Sequence, residues 1–285
     1  MITLALRLGR VSNLPTVWTN VLAGCALAGG AAATGDVRTV GGLLLSSSLA
    51  YVGGMYLNDA FDREIDARER PERPIPSGAA KASTVFGAGF AMLAASVAIV
   101  TALALQVGPG ATPAIYGALS LAATIVAYDM FHKDNPLSPL LMGMCRALVY
   151  VTAALLVAGA VAEPVVLGGL AMLGYLFGLT FAAKQENLAT FRGGWPLLLL
   201  AAPVVLGVVR GTPAGLAMGL LLAVWTALCV RRMHRRDVPG AIAGLIAGIS
   251  LLDGMLVASV EPWLAAPCLV AFAMTLTFQR AIPGT

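Results

Sequence analysis

Between Leu14 and Gln279 the sequence is a succession of apolar tracts, and nearly all its charge sits in the short segments that separate them. A helix crossing the hydrocarbon core of a bilayer needs roughly 20 mostly apolar residues. Ten stretches meet that demand: 14–33, 38–57, 83–105, 112–130, 138–160, 164–184, 194–210, 213–231, 239–260 and 262–280. The last depends on whether Glu261-Pro262 makes a turn or only a kink. Only 11% of residues are charged and 59% are hydrophobic, against about 25% charged in soluble domains. The reading is an all-α, polytopic transmembrane helix bundle of nine or ten spans. No polar linker divides it, so residues 1–285 are read as one membrane-embedded domain. Glycine-rich patches such as Gly29-Gly30 and Gly168-Gly169 are places where helices can approach closely.

Basic residues orient the bundle, because short cytoplasmic loops collect Lys and Arg. With the segments between spans numbered alternately, one side holds Arg7, Arg10, Arg63, Arg68, Arg70, Arg73, Lys81, Lys133, Lys184, Arg192, Arg231, Arg232, Arg235, Arg236 and Arg280. The other holds Arg38 and Arg210 only. Both termini and the basic loops are therefore expected in the cytoplasm, with the chain in a cell membrane. The net charge of +4 reflects this topology and calls for no nucleic acid. Cys25, Cys145, Cys229 and Cys268 all fall in apolar tracts without CxxC spacing, and read as small hydrophobes. The N-terminus lacks a short apolar stretch followed by a small-residue cleavage site, so no cleaved signal peptide is expected.

The segment after the second span reads NDAFDREID, from Asn58 to Asp66, and is followed by RPIPSG, from Arg73 to Gly78. On a helix, Asn58, Asp62 and Asp66 lie at i, i+4 and i+8 and share one face. Converging oxygens of this kind repel one another unless a cation joins them. Mg²⁺ takes hard oxygen ligands, keeps several waters and often bridges one or two carboxylates to substrate phosphates. Neighbouring arginines suit phosphate oxygens through forked hydrogen bonds. The plainer alternative is a solvated loop stabilised by i, i+4 charge pairs.

These motifs resemble those of the UbiA-type intramembrane prenyltransferases, whose first aspartate-rich motif is NDxxDxxxD, followed closely by RPxPSG. The resemblance implies a helix bundle around a central cavity, with two aspartate-rich loops holding Mg²⁺ and a prenyl diphosphate. It carries Asn58, Asp62 and Asp66 over as metal ligands, with Asp59 in support and Arg70 and Arg73 as phosphate contacts. The family's second motif, DxxxD, is reduced here to Lys184-Gln185-Glu186-Asn187 after the sixth span. Glu186 is left as the one acid there to hold a metal ion, and Lys184 fits a phosphate contact. Members of the family often place a Tyr and a Lys near the diphosphate, which points to Tyr128 and Lys133. His132 reads as a solvated loop residue. Asn13 matches polar positions near the start of the first span in relatives. The segment SPLLMGMCRALVY resembles an EboC-like branch. Arg146 and Asp253 lie inside spans, where a charge costs about 2.5–3.5 kcal/mol on insertion scales. They are expected to face the cavity or each other, and Arg146 is counted among the substrate-binding residues.

What the resemblance implies is Mg²⁺-dependent transfer of an isoprenyl group from a prenyl diphosphate to a small lipophilic acceptor, aromatic or hydroxylated, within the bilayer. A terpene cyclase needs the same diphosphate site and no acceptor. A non-catalytic lipid or metabolite carrier is the third reading, for which NDAFDREID has no rationale. Oligomeric state is not legible in the sequence.

Overall fold

The structure is a computed structural model, and it describes residues 2–133, 135–184, 195–210 and 212–282. The described residues form helices and turns without a strand. In chain order the α-helices are α1 (Ile2–Leu8), α2 (Leu14–Gly35), α3 (Val37–Phe61), α4 (Arg63–Glu69), α5 (Ala82–Val107), α6 (Pro113–Phe131), α7 (Ser138–Ala158), α8 (Glu163–Lys184), α9 (Ala202–Arg210), α10 (Pro213–His234), α11 (Val238–Ala258) and α12 (Ala265–Ala281).

Local chemistry sets the ends. Asp36, Thr212 and Asp237 cap α3, α10 and α11 by accepting a backbone N–H into their side chains. Proline stands in the first turn of α2, α6, α7, α10 and α11, where its missing N–H costs nothing. Gly159 ends α7 with φ 70°, a conformation that glycine takes without strain.

Eight helices of the described residues are long and apolar enough to cross a membrane. They realise eight of the ten tracts. The first tract is α2, a 22-residue helix broken at Gly30, whose φ of 67° is non-helical. The seventh is not one continuous span. It begins as a 3-10 segment, Trp195–Ala201, and only then becomes the nine-residue α9, because Pro196 and Pro203 interrupt the ladder of backbone bonds. Glu261-Pro262 proves to be a turn. Gln279 near the end of α12 donates to the carbonyl of Ala243 near the start of α11, so the two helices run antiparallel.

The buried post of the bundle is α11, with 89% of its apolar window hidden from solvent. It packs on α10, α12, α2 and α8, while α3 packs on α5 and α7 packs on α6, α8 and α2. Of the small-residue patches, Gly168 does permit close approach: a Cβ there would lie 2.9 Å from Leu27. Gly30 meets nothing within 4 Å and serves the kink instead. A close helix crossing is at Gly24, where a Cβ would fall 2.9 Å from the Tyr150 backbone, drawing α2 onto α7. Cys25, Cys229 and Cys268 are buried as expected, and Cys145 is half-buried.

Candidate active site

At one end of the bundle a cavity of about 580 Å³ opens among α3, α6, α7, α8 and α11, closed by Arg10 and Asn13 just before α2. Its mouth carries Arg10, Asn58, Asp62, Arg70, Arg73, His132 and Lys133, and its inner wall is apolar, with Leu176, Leu179, Ile242, Ile246 and Ile249. A side arm of about 90 Å³ leads off between α3 and α6, past Tyr51, Tyr128 and Asp129.

The aspartate-rich segment is not one uninterrupted helix. α3 ends at Phe61 and Asp62 is the joint to α4. The i→i+4 bonds nonetheless persist through it: Asp62 N–H donates to Asn58 O at 3.0 Å and Asp66 N–H to Asp62 O at 2.8 Å. Asn58, Asp62 and Asp66 therefore stay in register, and all three are buried. Their environments differ. Asn58 and Asp62 line the cavity. Asp66 turns to Arg73, 2.9 Å away, and the same guanidinium lies 3.3 Å from Asp59. Arg10 closes the group, 3.3 Å from Asp59 and 3.4 Å from Asn58 Oδ1.

Asp62 is faced by His132 Nε2 at 3.3 Å and Lys133 Nζ at 3.6 Å. Burial works to raise its pKa. The hydrogen bond and charge of His132, with the charges of Lys133 and Arg73, outweigh burial and hold the carboxyl below the ordinary carboxylate range. His132 is thus no solvated loop residue: its ring stacks on Tyr128 with centroids 5.0 Å apart. It is fixed between Tyr128 and Asp62.

Tyr128 and Lys133 both line the cavity, as do Arg70 and Asn13, whose Oδ1 accepts from Gln279 at 2.9 Å. Glu186 lies outside the described residues, and of Lys184 only the backbone, the last residue of α8, is described.

Inside the bundle, Arg146 on α7 lines both the cavity and its side arm. It donates to Asn20 Oδ1 at 2.8 Å and to Thr16 Oγ1 at 3.1 Å, and sits 5.4 Å from the centroid of Tyr51. Asn20 in turn donates to Asp253 Oδ2 at 2.7 Å, Thr19 donates to the same oxygen at 2.5 Å, and Tyr150 to Oδ1. Arg146 and Asp253 are joined through an amide rather than face to face. Thr16 and Asn20 were not singled out from the sequence. The available signal was their spacing with Asn13 at i, i+3 and i+7, a polar stripe on an otherwise apolar helix.

A further acid, Asp129, has no role assigned to it by the sequence. Asp129 is 3% exposed, accepts from Asn58 Nδ2 at 3.2 Å through one oxygen, and has no partner at Oδ2 among the described residues. Ser138 Oγ in the cavity wall is likewise without a hydrogen-bond partner among the described residues. Among the described residues no three acidic, His or Cys side chains form a self-sufficient metal cage. The donor set fits the other mode, a hard cation shared with substrate phosphates. Asn58 and Asp62 supply oxygens at the cavity, and the orphan oxygen of Asp129 is a buried acceptor beside them.

Comparison with known proteins places the chain. The model of the UbiA prenyltransferase family matches residues 16–243, and the chain belongs to that family. It is 32% identical over 224 residues to a digeranylgeranylglyceryl phosphate synthase of Haloquadratum walsbyi, covering 76% of this chain and 72% of that protein. Two solved structures share the fold. One is of a digeranylgeranylglyceryl phosphate synthase, at TM-score 0.62 and 17% identity, covering 95% of this chain and 100% of that one. The other is an apo UbiA homologue from Aeropyrum pernix K1, at TM-score 0.68 and 16% identity, covering 87% and 97%. The chain is a prenyltransferase, and its multi-pass bundle is an integral membrane protein.

Proposed function

We propose that this prenyltransferase, its chain 1–285 acting as one domain, moves an isoprenyl group from a prenyl diphosphate to a small hydroxylated acceptor inside the bilayer. The observation that carries this reading is the two-sided cavity, with a mouth of paired acids and bases above a wall of leucine and isoleucine. A prenyl diphosphate has the same division of chemistry along its length. The relative from Haloquadratum walsbyi is named for a glyceryl phosphate product, which favours a hydroxyl nucleophile over an aromatic ring.

Arg10, Arg70, Arg73 and Lys133 surround the space above Asn58 and Asp62. As the C1–O bond of the donor breaks, these cations take up the charge that builds on the leaving diphosphate, and fixed charges at a dry site need little reorganisation. Tyr128, stacked on His132, stands where the mouth meets the apolar interior. Its ring suits an allylic cation. The apolar wall keeps water from that carbon. A C–O bond to the acceptor then forms, and the hydroxyl proton leaves through the polar mouth. Asn58, Asp62 and Asp129, with Asp66 in reserve, would hold Mg²⁺, and when bound it would supply Lewis-acid stabilisation of the diphosphate. Glu186 and Lys184 belong to the same reading, as the reduced second motif.

Incubation of the purified protein with geranyl, farnesyl and geranylgeranyl diphosphates tests it. Release of diphosphate is expected only when a hydroxylated acceptor is added. Release with a cyclic hydrocarbon and no acceptor marks a cyclase, and no release with any donor marks a carrier; either result refutes the proposal.

We further propose that the mouth faces the cytoplasm, on the strength of the basic loops gathered there. A cysteine introduced at Ser77, exposed in the loop after α4, should resist a membrane-impermeant thiol reagent in intact cells and react after permeabilisation. Labelling of intact cells reverses the orientation.

A further inference from the structure

We infer that the basic end of α10 is a headgroup site for an anionic phospholipid of the surrounding bilayer. The inference does not depend on the transferase reading.

The site is a concavity of about 200 Å³ lined by Trp225, Leu228, Cys229, Arg231, Arg232 and Arg235. These residues form one stripe of the helix. Trp225, Leu228, Arg232 and Arg235 recur at i, i+3, i+7 and i+10, with Cys229 and Arg231 beside them. All three arginines are exposed. Arg231 and Arg235 lie about 6 Å apart along the helix axis. Among the described residues no carboxylate pairs with any of the three. The nearest acid in sequence, Asp237, accepts the backbone N–H of Gly240 and caps α11 instead. Basic residues at a helix C-terminus complement the helix dipole, and basic loops mark one side of a membrane. Neither reason calls for three arginines around one concavity, where like charges four positions apart repel.

The walls of the concavity say what it takes. Trp225 Nε1 donates to Gly244 O at 2.8 Å, and its ring meets Phe272 edge-on with centroids 4.9 Å apart. The indole has one polar group, and it is turned into the bundle, so the ring stands as a fixed apolar wall. Gly244 lets α11 approach at this level, since a Cβ there would lie 2.7 Å from Cys229 Sγ. Before the arginines, α10 turns an exposed apolar row outward, Leu221, Val224 and Leu228. In a membrane-spanning helix that row lies against lipid chains. One helix face thus carries hydrocarbon contact along its length and bare positive charge where it leaves the bilayer. An anionic phospholipid has the same division at the same depth. Its phosphate enters the concavity and meets the guanidiniums in charge-assisted hydrogen bonds, and its chains follow Leu221, Val224 and Leu228. A soluble anion would use the arginines and leave the apolar row without a part. A zwitterionic lipid brings a cation of its own, which three arginines repel.

The turn from α10 to α11 stands at the end of the bundle that carries the mouth, because α11 runs from it into Ile242, Ile246 and Ile249 of the cavity wall. A lipid held at Arg231, Arg232 and Arg235 therefore braces the hairpin that supplies that wall.

The test uses the full chain in a non-ionic detergent, with Mg²⁺ and inorganic diphosphate present to occupy the mouth. Phosphatidylglycerol or phosphatidylcholine with the same chains is added. Bound lipid is counted by native mass spectrometry, and thermal melting is followed in parallel. The wild type is expected to retain one phosphatidylglycerol with at least tenfold preference over phosphatidylcholine, and its melting midpoint should rise as phosphatidylglycerol is added. One arginine near a membrane surface contributes about fivefold to such binding, so Arg232→Gln should weaken it severalfold. The triple variant R231Q/R232Q/R235Q should bind the two lipids within twofold of each other and melt at a midpoint that phosphatidylglycerol does not move. If the triple variant does not fold, Arg232→Gln carries the test. The control R7Q/R68Q/R280Q removes the same charge from exposed positions outside the site and should keep the wild-type preference. A control that loses as much as the triple variant would reduce the effect to overall charge and overturn the inference. So would a wild type that prefers neither lipid, or α10 variants that keep the preference. An excess of inorganic phosphate should leave the lipid in place; displacement would make this a site for a soluble anion and sink the lipid assignment.

Discussion

Replacing Asp62 with alanine should lower turnover at least ~100-fold, the scale of removing one electrostatic contact from an active site, while the protein still inserts and folds. Asp62 is the carboxylate on which His132 and Lys133 converge, and it borders the cavity. Its side chain faces open space on one side, so truncation removes little packing. The backbone bonds through the joint between α3 and α4 do not involve the carboxyl. Asp66→Ala makes the informative contrast. Asp66 reaches the cavity only through Arg73, so its loss should act first on donor KM. Steady-state rates across a Mg²⁺ series, with thermal melts of each variant, check both expectations. Near-normal turnover by Asp62→Ala would remove it from the site.

The largest effect on stability is expected at Asp253. Asp253→Leu leaves the hydroxyls of Thr19 and Tyr150 and the amide of Asn20 without their acceptor, and takes the balancing charge from Arg146. Breaking a buried charged network by deleting one member costs about 3–5 kcal/mol. The leucine variant should therefore fall sharply in yield or in denaturation midpoint in detergent. Asp253→Asn keeps an acceptor oxygen in the same shape and should be milder. Equal midpoints for the leucine variant and the wild type would mean that the network contributes nothing to folding.

How far these features could be read beforehand depended on whether they were local. The spans follow from hydropathy, and the mouth follows from NDAFDREID and RPIPSG, because both patterns are contiguous. The division of labour inside the motif was not legible. Helical spacing puts Asn58, Asp62 and Asp66 on one face, but which of them meets the cavity depends on where Arg73 folds back. His132 looked like a loop residue because nothing near it in sequence shows that it lies against Asp62, seventy positions earlier. Asp129 was visible only as a neighbour of Tyr128, and its burial against Asn58 is a matter of helix packing. The seventh tract had the hydropathy of a span, yet Pro196 and Pro203 lie within it, and hydropathy does not register a missing N–H.

The links between the first and last helices have a consequence in time. Asn20 on α2 is completed by Asp253 on α11, 233 residues later, and Asn13 by Gln279 on α12, 266 residues later. At about 5–20 residues per second of synthesis, α2 emerges roughly ten to fifty seconds before its partners exist. For that interval the stripe of Asn13, Thr16 and Asn20 has no acceptor or donor from the far end of the chain, and Arg146, made midway, lacks its balancing charge. Assembly of the polar interior is therefore a late event. A nascent chain that ends before α11 holds the aspartate-rich mouth but lacks the wall residues Ile242, Ile246 and Ile249. Such a chain carries the charges of the mouth with no apolar wall beneath them, so the cavity is completed only after α11 has been made.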